Sequence, residues 1–231
     1  PEIGDLENLQ YLRLWSNQLT GGIPSEIYNM ISLIDLSLQD NQLVDVLSPQ
    51  ISNLINLQYL FLWGNFIYGQ IPSEIGNLTN LTYLTLDGNL LNGQIPSEIG
   101  NLTNLHGLGL SGNQLNGNIP PEIGNLTNLT DYLSLGFNQL SGEIPPEIEN
   151  LTNLRELGLD NNQLSGEIPS EIGNLDNLEL LWLSNNQFGG FIPVSICDLS
   201  ILWDQYNEWG DPTFHIDNNS LCPPYPECIE D

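Results

Sequence analysis

A step of 24 residues decides what this chain can fold into. Leu33, Leu36, Leu38, Asn41 and Leu43 recur as Leu57, Leu60, Leu62, Asn65 and Ile67. They recur again as Leu81, Leu84, Leu86, Asn89 and Leu91, then as Leu105, Leu108, Leu110, Asn113 and Leu115. After each run comes Gly-x-Ile-Pro-x-x-Ile-x-x-Leu, as in Gly93, Ile95, Pro96, Ile99 and Leu102. Periods of this length belong to stacked units. Leu-x-x-Leu-x-Leu alternates as a short strand does, with Leu84 and Leu86 inward and Tyr83, Thr85 and Asp87 outward. An Asn closing each strand can bond the backbone of neighbouring coils. Asn17, Asn41, Asn65, Asn89, Asn113, Asn138, Asn162, Asn186 and Asn219 therefore predict a ladder. Pro-x-x-Ile-x-x-Leu supplies a helical or 3₁₀ turn with Ile99 and Leu102 inward. No unit can bury its apolar face alone, so the units must stack.

The run Leu-x-x-Leu-x-Leu-x-x-Asn-x-Leu-x-Gly-x-Ile-Pro-x-x-Ile-Gly-x-Leu resembles the plant-type leucine-rich repeat. That repeat is found in receptor-kinase ectodomains, polygalacturonase inhibitors and similar secreted bacterial proteins, and the resemblance covers essentially the whole chain. It implies an α/β solenoid, a curved right-handed leucine-rich-repeat superhelix of about nine coils. A parallel β-sheet would line its concave side and 3₁₀ or short helices its convex side. With strands ~4.8 Å apart, the stack would be about 40 Å long. The resemblance implies recognition without naming a ligand, because such surfaces serve unrelated partners.

Residues 1–196 are expected to hold about eight repeats without an N-terminal cap, since Pro1-Glu2-Ile3-Gly4 is the second half of a unit. Residues 197–231 read as a last irregular repeat and a C-terminal cap, with Trp203, Tyr206 and Trp209 covering the open rung. In the second unit Asp45-Val46-Leu47-Ser48 replaces Gly-x-Ile-Pro. Asp tolerates left-handed backbone, so a local change of curvature is expected there rather than a site. Leu129 to Leu133 spans one extra residue, placing Asp131 and Tyr132 at a predicted bulge. The extra residue reads as an insertion absorbed where the strand begins, with a re-aimed side chain as the alternative. Cys222 and Cys228 resemble the closely spaced disulfide in the C-terminal caps of plant-type repeat proteins, which implies an oxidising, extracellular setting. The repeat frame also puts Cys228 near the column of Cys197, one coil away and within disulfide reach. The first pairing is preferred, leaving Cys197 buried and reduced or paired beyond Asp231.

Charge narrows the partners. The chain carries 29 acidic side chains and 2 basic ones, Arg13 and Arg155, for a formal charge of −27. Charged residues are 13% of the chain, against about 25% in average soluble proteins, so the imbalance comes from missing bases. Nucleic acid and anionic lipid need clustered Lys and Arg and are excluded; a polyanionic glycan is disfavoured for the same reason. No apolar run approaches the ~18 residues of a membrane span, so no membrane insertion is expected. Gly107-Leu108-Gly109-Leu110-Ser111-Gly112 matches a dinucleotide fingerprint, but the frame makes Leu108 and Leu110 core positions. His106 and His215 lack ligand-spaced partners, so no metal and no cofactor are expected. Asp131 and Glu156 read as solvated charges on adjacent strands, and no enzyme is expected.

The outward strand positions carry the candidate ligand-binding residues. Tyr11, Arg13, Trp15, Tyr59, Phe61 and Trp63 share columns, and Tyr83, Asp87 and Tyr132 continue them. Gly107, Gly109, Gly136 and Gly158 predict a flat floor flanked by Phe137, Arg155, Asp160 and Trp182. Exposed aromatics this dense suggest a secreted or cell-surface recognition module that holds a protein, peptide or neutral glycan. The alternatives are a structural or cell-surface assembly role through end-to-end self-association, and ice binding by the ladder Thr79, Thr103, Thr127 and Thr152. Asn-x-Thr sequons at Asn77, Asn80, Asn101, Asn125, Asn128 and Asn150 and Asn-Asn-Ser at Asn218 follow largely from the repeat. Glu2, Glu26, Glu74, Glu98, Glu122, Glu147 and Glu171 form one predicted convex column.

Overall fold

A computed structural model describes residues 2–201 and 212–229. The expected cap aromatics Trp203, Tyr206 and Trp209 lie outside them. Among the described residues, 9 parallel strands form one sheet in chain order, from Tyr11–Arg13 to Phe214–His215. Adjacent strands pair without slippage; Tyr59 meets Tyr83, Tyr83 meets Gly107, and Gly107 meets Tyr132. A second sheet of 7 strands, from Tyr68–Gln70 to Ser220–Cys222, runs along the flank. The 3₁₀ turns occupy the remaining side. Ser97–Asn101 is typical: Pro96 precedes it with φ −67°, and the Leu102 N–H closes it on the Ile99 carbonyl. Between these layers the inward Leu and Ile of every coil form one continuous core, with Leu84, Leu86, Ile99 and Leu102 fully buried.

The Asn ladder forms as the spacing predicts. Asn89 Oδ1 accepts the Ile67 N–H of the preceding coil at 2.9 Å. Its amide nitrogen donates to the Leu62, Leu86 and Asp87 carbonyls at 3.0–3.2 Å. Equivalent bonds recur from Asn41 to Asn219. Asn41, Asn65, Asn89, Asn113, Asn162 and Asn186 are buried, and each rung supplies the partner its neighbour lacks.

Two units depart from the repeat, and of the two only Asp45 behaves differently from expectation. Asp45 is not left-handed, unlike Gly21, Gly69 and Gly93 in the same column. Its carboxylate instead accepts the Ile23 and Val46 N–H groups, both at 2.8 Å. The flank sheet breaks there: Thr20–Gly21 pairs with Gln42–Leu43 in a separate ribbon, joined onward by a Val46–Tyr68 bridge. The extra residue of the sixth coil is absorbed before its strand, where the Thr130 and Asp131 N–H groups share the His106 carbonyl, and Tyr132 is already in register with Gly107.

The disulfide joins Cys197 to Cys228, not Cys222 to Cys228, with Cα atoms 5.7 Å apart. Cys222 is free and exposed. The reason is positional. Cys222 pairs with Phe191 on the flank sheet. Cys228 belongs to the closing turn, which packs on the core beside Cys197 of the 3₁₀ turn Val194–Asp198. Cys197 is therefore oxidised rather than buried and reduced.

Candidate functional site

The parallel register divides the expected aromatic patch into two groups. In the first coil, Tyr11 and Trp15 are 51% and 53% exposed. The Arg13 guanidinium lies 5.3 Å from the Tyr11 ring centre, and its Nε donates to Asp35 at 2.7 Å. The second coil then interposes Asp35 and Ser37, both buried and bonded to one another. Tyr59, Phe61 and Tyr83 are half-buried against each other, with ring centres 6.0–6.3 Å apart. Tyr83 continues the contact to His106 and Tyr132. Much of this aromatic surface is therefore spent on packing.

The inserted residue re-aims Asp131. Its carboxylate accepts the Tyr83 hydroxyl and the Thr130 hydroxyl, so it is a partly buried acceptor and not a solvated charge. That hydrogen bond, with burial adding to it, pushes the Tyr83 phenol up to about 12. Tyr132 is raised too, first by desolvation and then by the nearby Asp87.

The glycine positions are not an open floor. A side chain at Gly107 would strike Tyr132 and Tyr83, with an added Cβ 2.7 and 2.9 Å from their rings, and at Gly109 it would meet the Asp87 carboxylate. Those glycines exist to let larger neighbours fold over them. What remains open is a cleft of about 380 Å³ lined by Trp63, Thr85, Asp87, Tyr132, Ser134, Glu156, Gly158 and Trp182. It unites four expected residues, Trp63, Asp87, Tyr132 and Trp182. Tyr11, Arg13, Trp15, Tyr59, Phe61 and Tyr83 lie outside its lining, as do Phe137, Arg155 and Asp160. Thr85 and Glu156 join the site although the sequence reads Thr85 only as an outward strand residue and Glu156 as a solvated charge.

Electrostatics single out Asp87. Desolvation raises its carboxyl to about 6, against stabilising bonds from backbone N–H groups including that of Ser111. The Ser111 N–H reaches Oδ1 at 2.9 Å. Desolvation also raises Asp160. Thr85 is 6% exposed and its hydroxyl has no hydrogen-bond partner. Trp182 is fixed by its indole N–H, which donates to the Pro212 carbonyl at 2.6 Å. Arg155 is held away on Glu179 at 2.6 Å. Phe137 is 59% exposed with φ 53°, where neighbouring coils have Gly112 and Asn161.

Two other surfaces stand apart. A shallow trough of about 850 Å³ follows the 3₁₀ turns, lined by Asn77, Thr79, Asn101, Thr103, Asn125 and Thr127 with the glycines between them. On the flank, Val44, Val46, Phe66, Tyr68 and Leu90 are 42–53% exposed. Among the described residues, no three His, Cys, Asp or Glu side chains gather as metal ligands, and no helix is long and apolar enough to cross a membrane.

Known proteins match this architecture. The model described as a leucine-rich repeat region covers residues 36–165, and single leucine-rich repeats match 8–30 and 177–199. No curated protein matches the chain. The plant peptide hormone receptor RGFR1, solved in complex with RGF2, is 40% identical with a TM-score of 0.88, covering 95% of this chain and 34% of that one. The Arabidopsis receptor kinase HAESA, solved with the peptide hormone IDA and the co-receptor SERK1, is 34% identical with a TM-score of 0.84, covering 96% and 40%. A plant ice-binding protein is 27% identical with a TM-score of 0.80, covering 98% and 71%. The chain thus spans only 34–40% of the length of the two receptors. An unbroken column of bonded asparagines, a core repeated at every coil and a family model matching more than half its length place this chain in the leucine-rich repeat family, with the plant-type repeat.

Proposed function

We propose that the protein is a secreted or cell-surface recognition module that holds a peptide or protein segment in the concave cleft, without catalysis. The observation that carries this reading is the cleft itself. Trp63, Tyr132 and Trp182 supply large, rigid contact area, while Asp87 and Glu156 set charged groups among them. Support comes from the plant peptide hormone receptor RGFR1, solved in complex with RGF2, and from HAESA, solved in complex with the peptide hormone IDA. The Cys197–Cys228 disulfide supports an oxidising, extracellular location. The segment 197–231 serves as the C-terminal end of the stack in this reading. Display of a random peptide library on the folded chain tests it. Selected ligands should be lost on Trp63→Ala with Trp182→Ala, with the thermal melt of the variant retained. Ligands indifferent to both changes would sink the concave reading.

A second reading has its own observation. The Asn and Thr residues of the trough repeat at every coil, as a lattice-matching surface requires, and the plant ice-binding protein is the neighbour whose length this chain most nearly fills among those above. An ice-recrystallisation assay on Thr103→Tyr against the parent decides it. Assembly through the apolar flank would show as concentration-dependent light scattering that Phe66→Ser removes.

A further inference from the structure

We infer that the cleft selects a basic peptide, seating a lysine ammonium or arginine guanidinium against Thr85 and Asp87. This inference rests on the concave peptide reading and specifies its chemistry. Thr85 and Asp87 lie two residues apart at the end of one strand, so both side chains stand on the cleft side of the sheet, roughly 7 Å apart. Thr85 offers a hydroxyl that is buried and partnerless. A buried polar group of this kind is costly unless something bonds it. Thr85 lines the cleft, and its hydroxyl oxygen is an acceptor still without a donor. Asp87 commits Oδ1 to the Ser111 N–H and rests Oδ2 over Gly109. A cation's N–H groups match both residues at once, because a carboxylate and a hydroxyl oxygen both accept.

The surroundings exclude the opposite charge. The sequence has two basic side chains. Arg13 is tied to Asp35 and Arg155 to Glu179. Nothing basic lines the cleft to receive a carboxylate or phosphate. Glu156 extends the acidic character along the groove, and Trp63, Tyr132 and Trp182 offer ring faces on which a guanidinium or a lysine stem packs. Asp87 remains a desolvated carboxyl when the cleft is empty, held above its ordinary range by burial. An arriving cation restores the partner that desolvation removed.

The experiment must separate this site from the general attraction of a −27 chain for basic peptides. A short Lys-bearing peptide selected on the folded chain is compared with its acetyl-lysine form by titration. The comparison is repeated on Asp87→Asn, on Thr85→Val, and on the convex control Glu98→Gln with Glu122→Gln. Acetylation and Asp87→Asn should each weaken binding about tenfold or more, the loss of one charge-assisted contact. Thr85→Val should weaken it about threefold, and the convex control should change it by less than about twofold. Both cleft substitutions remove a buried polar burden, so their melts should hold or rise; a loss of binding with a raised melt is not misfolding. Selected peptides that need Trp63 and Trp182 yet carry no basic residue, or that tolerate Asp87→Asn, overturn the cation assignment while concave recognition stands. Peptides that ignore Trp63 and Trp182 fail the recognition reading, and the cation assignment fails with it.

Discussion

The strand side and the 3₁₀ side of this solenoid are built from the same number of coils, yet they carry opposite kinds of surface. On the 3₁₀ side, Asn-Leu-Thr repeats at Asn77, Asn101, Asn125 and Asn150, and the result is a uniform trough. On the strand side the outward column runs Tyr59, Tyr83, Gly107, Tyr132, Glu156 and Leu180, and no two adjacent coils from Tyr83 onward present the same residue. Both sets of positions are free of core duty. Only the strand side uses that freedom to make one place unlike the rest, with bulk folded over glycine and a carboxyl driven out of water. Uniform repetition can match a repeating partner; a single irregular cleft matches a single one.

The sharpest way to break the comparison is to remove an asparagine from each side. Asn89→Ala should cost about 4 kcal/mol, because it orphans the Ile67 N–H and the carbonyls it served within the core. Asn101→Ala, on the exposed trough, should stay within ~0.5 kcal/mol. Denaturant melts of the two variants read the difference, and equal losses would mean that the ladder does not bear the stack. Cys197→Ser should cost about 3 kcal/mol by opening a loop whose ends are 31 residues apart. Cys222→Ser should change nothing, and the reverse outcome would restore the 222–228 pairing.

A smaller effect belongs to the cleft. Asp87 has a folded value of about 6 against an ordinary 3.8. The folded state therefore holds a proton that the unfolded chain releases, so this residue favours folding below about pH 4 and loses that contribution as pH rises through about 6. Tyr132, whose phenol is raised in part by the Asp87 charge, is the titratable neighbour that feels this residue. Asp87→Asn keeps an acceptor for the Ser111 N–H. It should raise stability by about 1–2 kcal/mol at pH 7 and by little at pH 4, flattening that part of the pH–melting curve. A variant less stable at pH 7 would show that the carboxylate is better solvated than its surroundings indicate. The smallest effect lies on the convex side, where Glu74, Glu98 and Glu122 follow coil by coil. Melting temperature should rise by a few degrees between low salt and ~0.5 M NaCl as their repulsion is screened. A flat profile would remove that column from the stability account.

The stack was legible in the sequence because its period fixes which side chains point inward, and Leu84, Leu86, Ile99 and Asn89 occupy the places their spacing predicts. The site was legible only in part. Trp63, Asp87, Tyr132 and Trp182 could be named as outward residues, but periodicity says nothing of which outward residues fold over their neighbours. Asp131 reads the same in sequence whether its insertion loops into solvent or turns toward Tyr83. The disulfide depends on where the chain goes after Leu221, and that path is set by packing beyond the repeat. Thr85 gives no sequence signal, because its lack of a partner is a property of the folded surroundings.

The interruption at Asp45 has a consequence for motion. In a linear stack each coil is held by its two neighbours, so cooperativity passes along whatever interfaces are intact. At the second coil the flank ribbon Thr20–Gly21 and Gln42–Leu43 connects onward through the Val46–Tyr68 bridge. Residues 2–46 are therefore tied to the later coils chiefly through the main sheet, where Asp35–Ser37 pairs with Tyr59–Phe61, and the flank-ribbon amides should exchange with deuterium faster than those of that sheet.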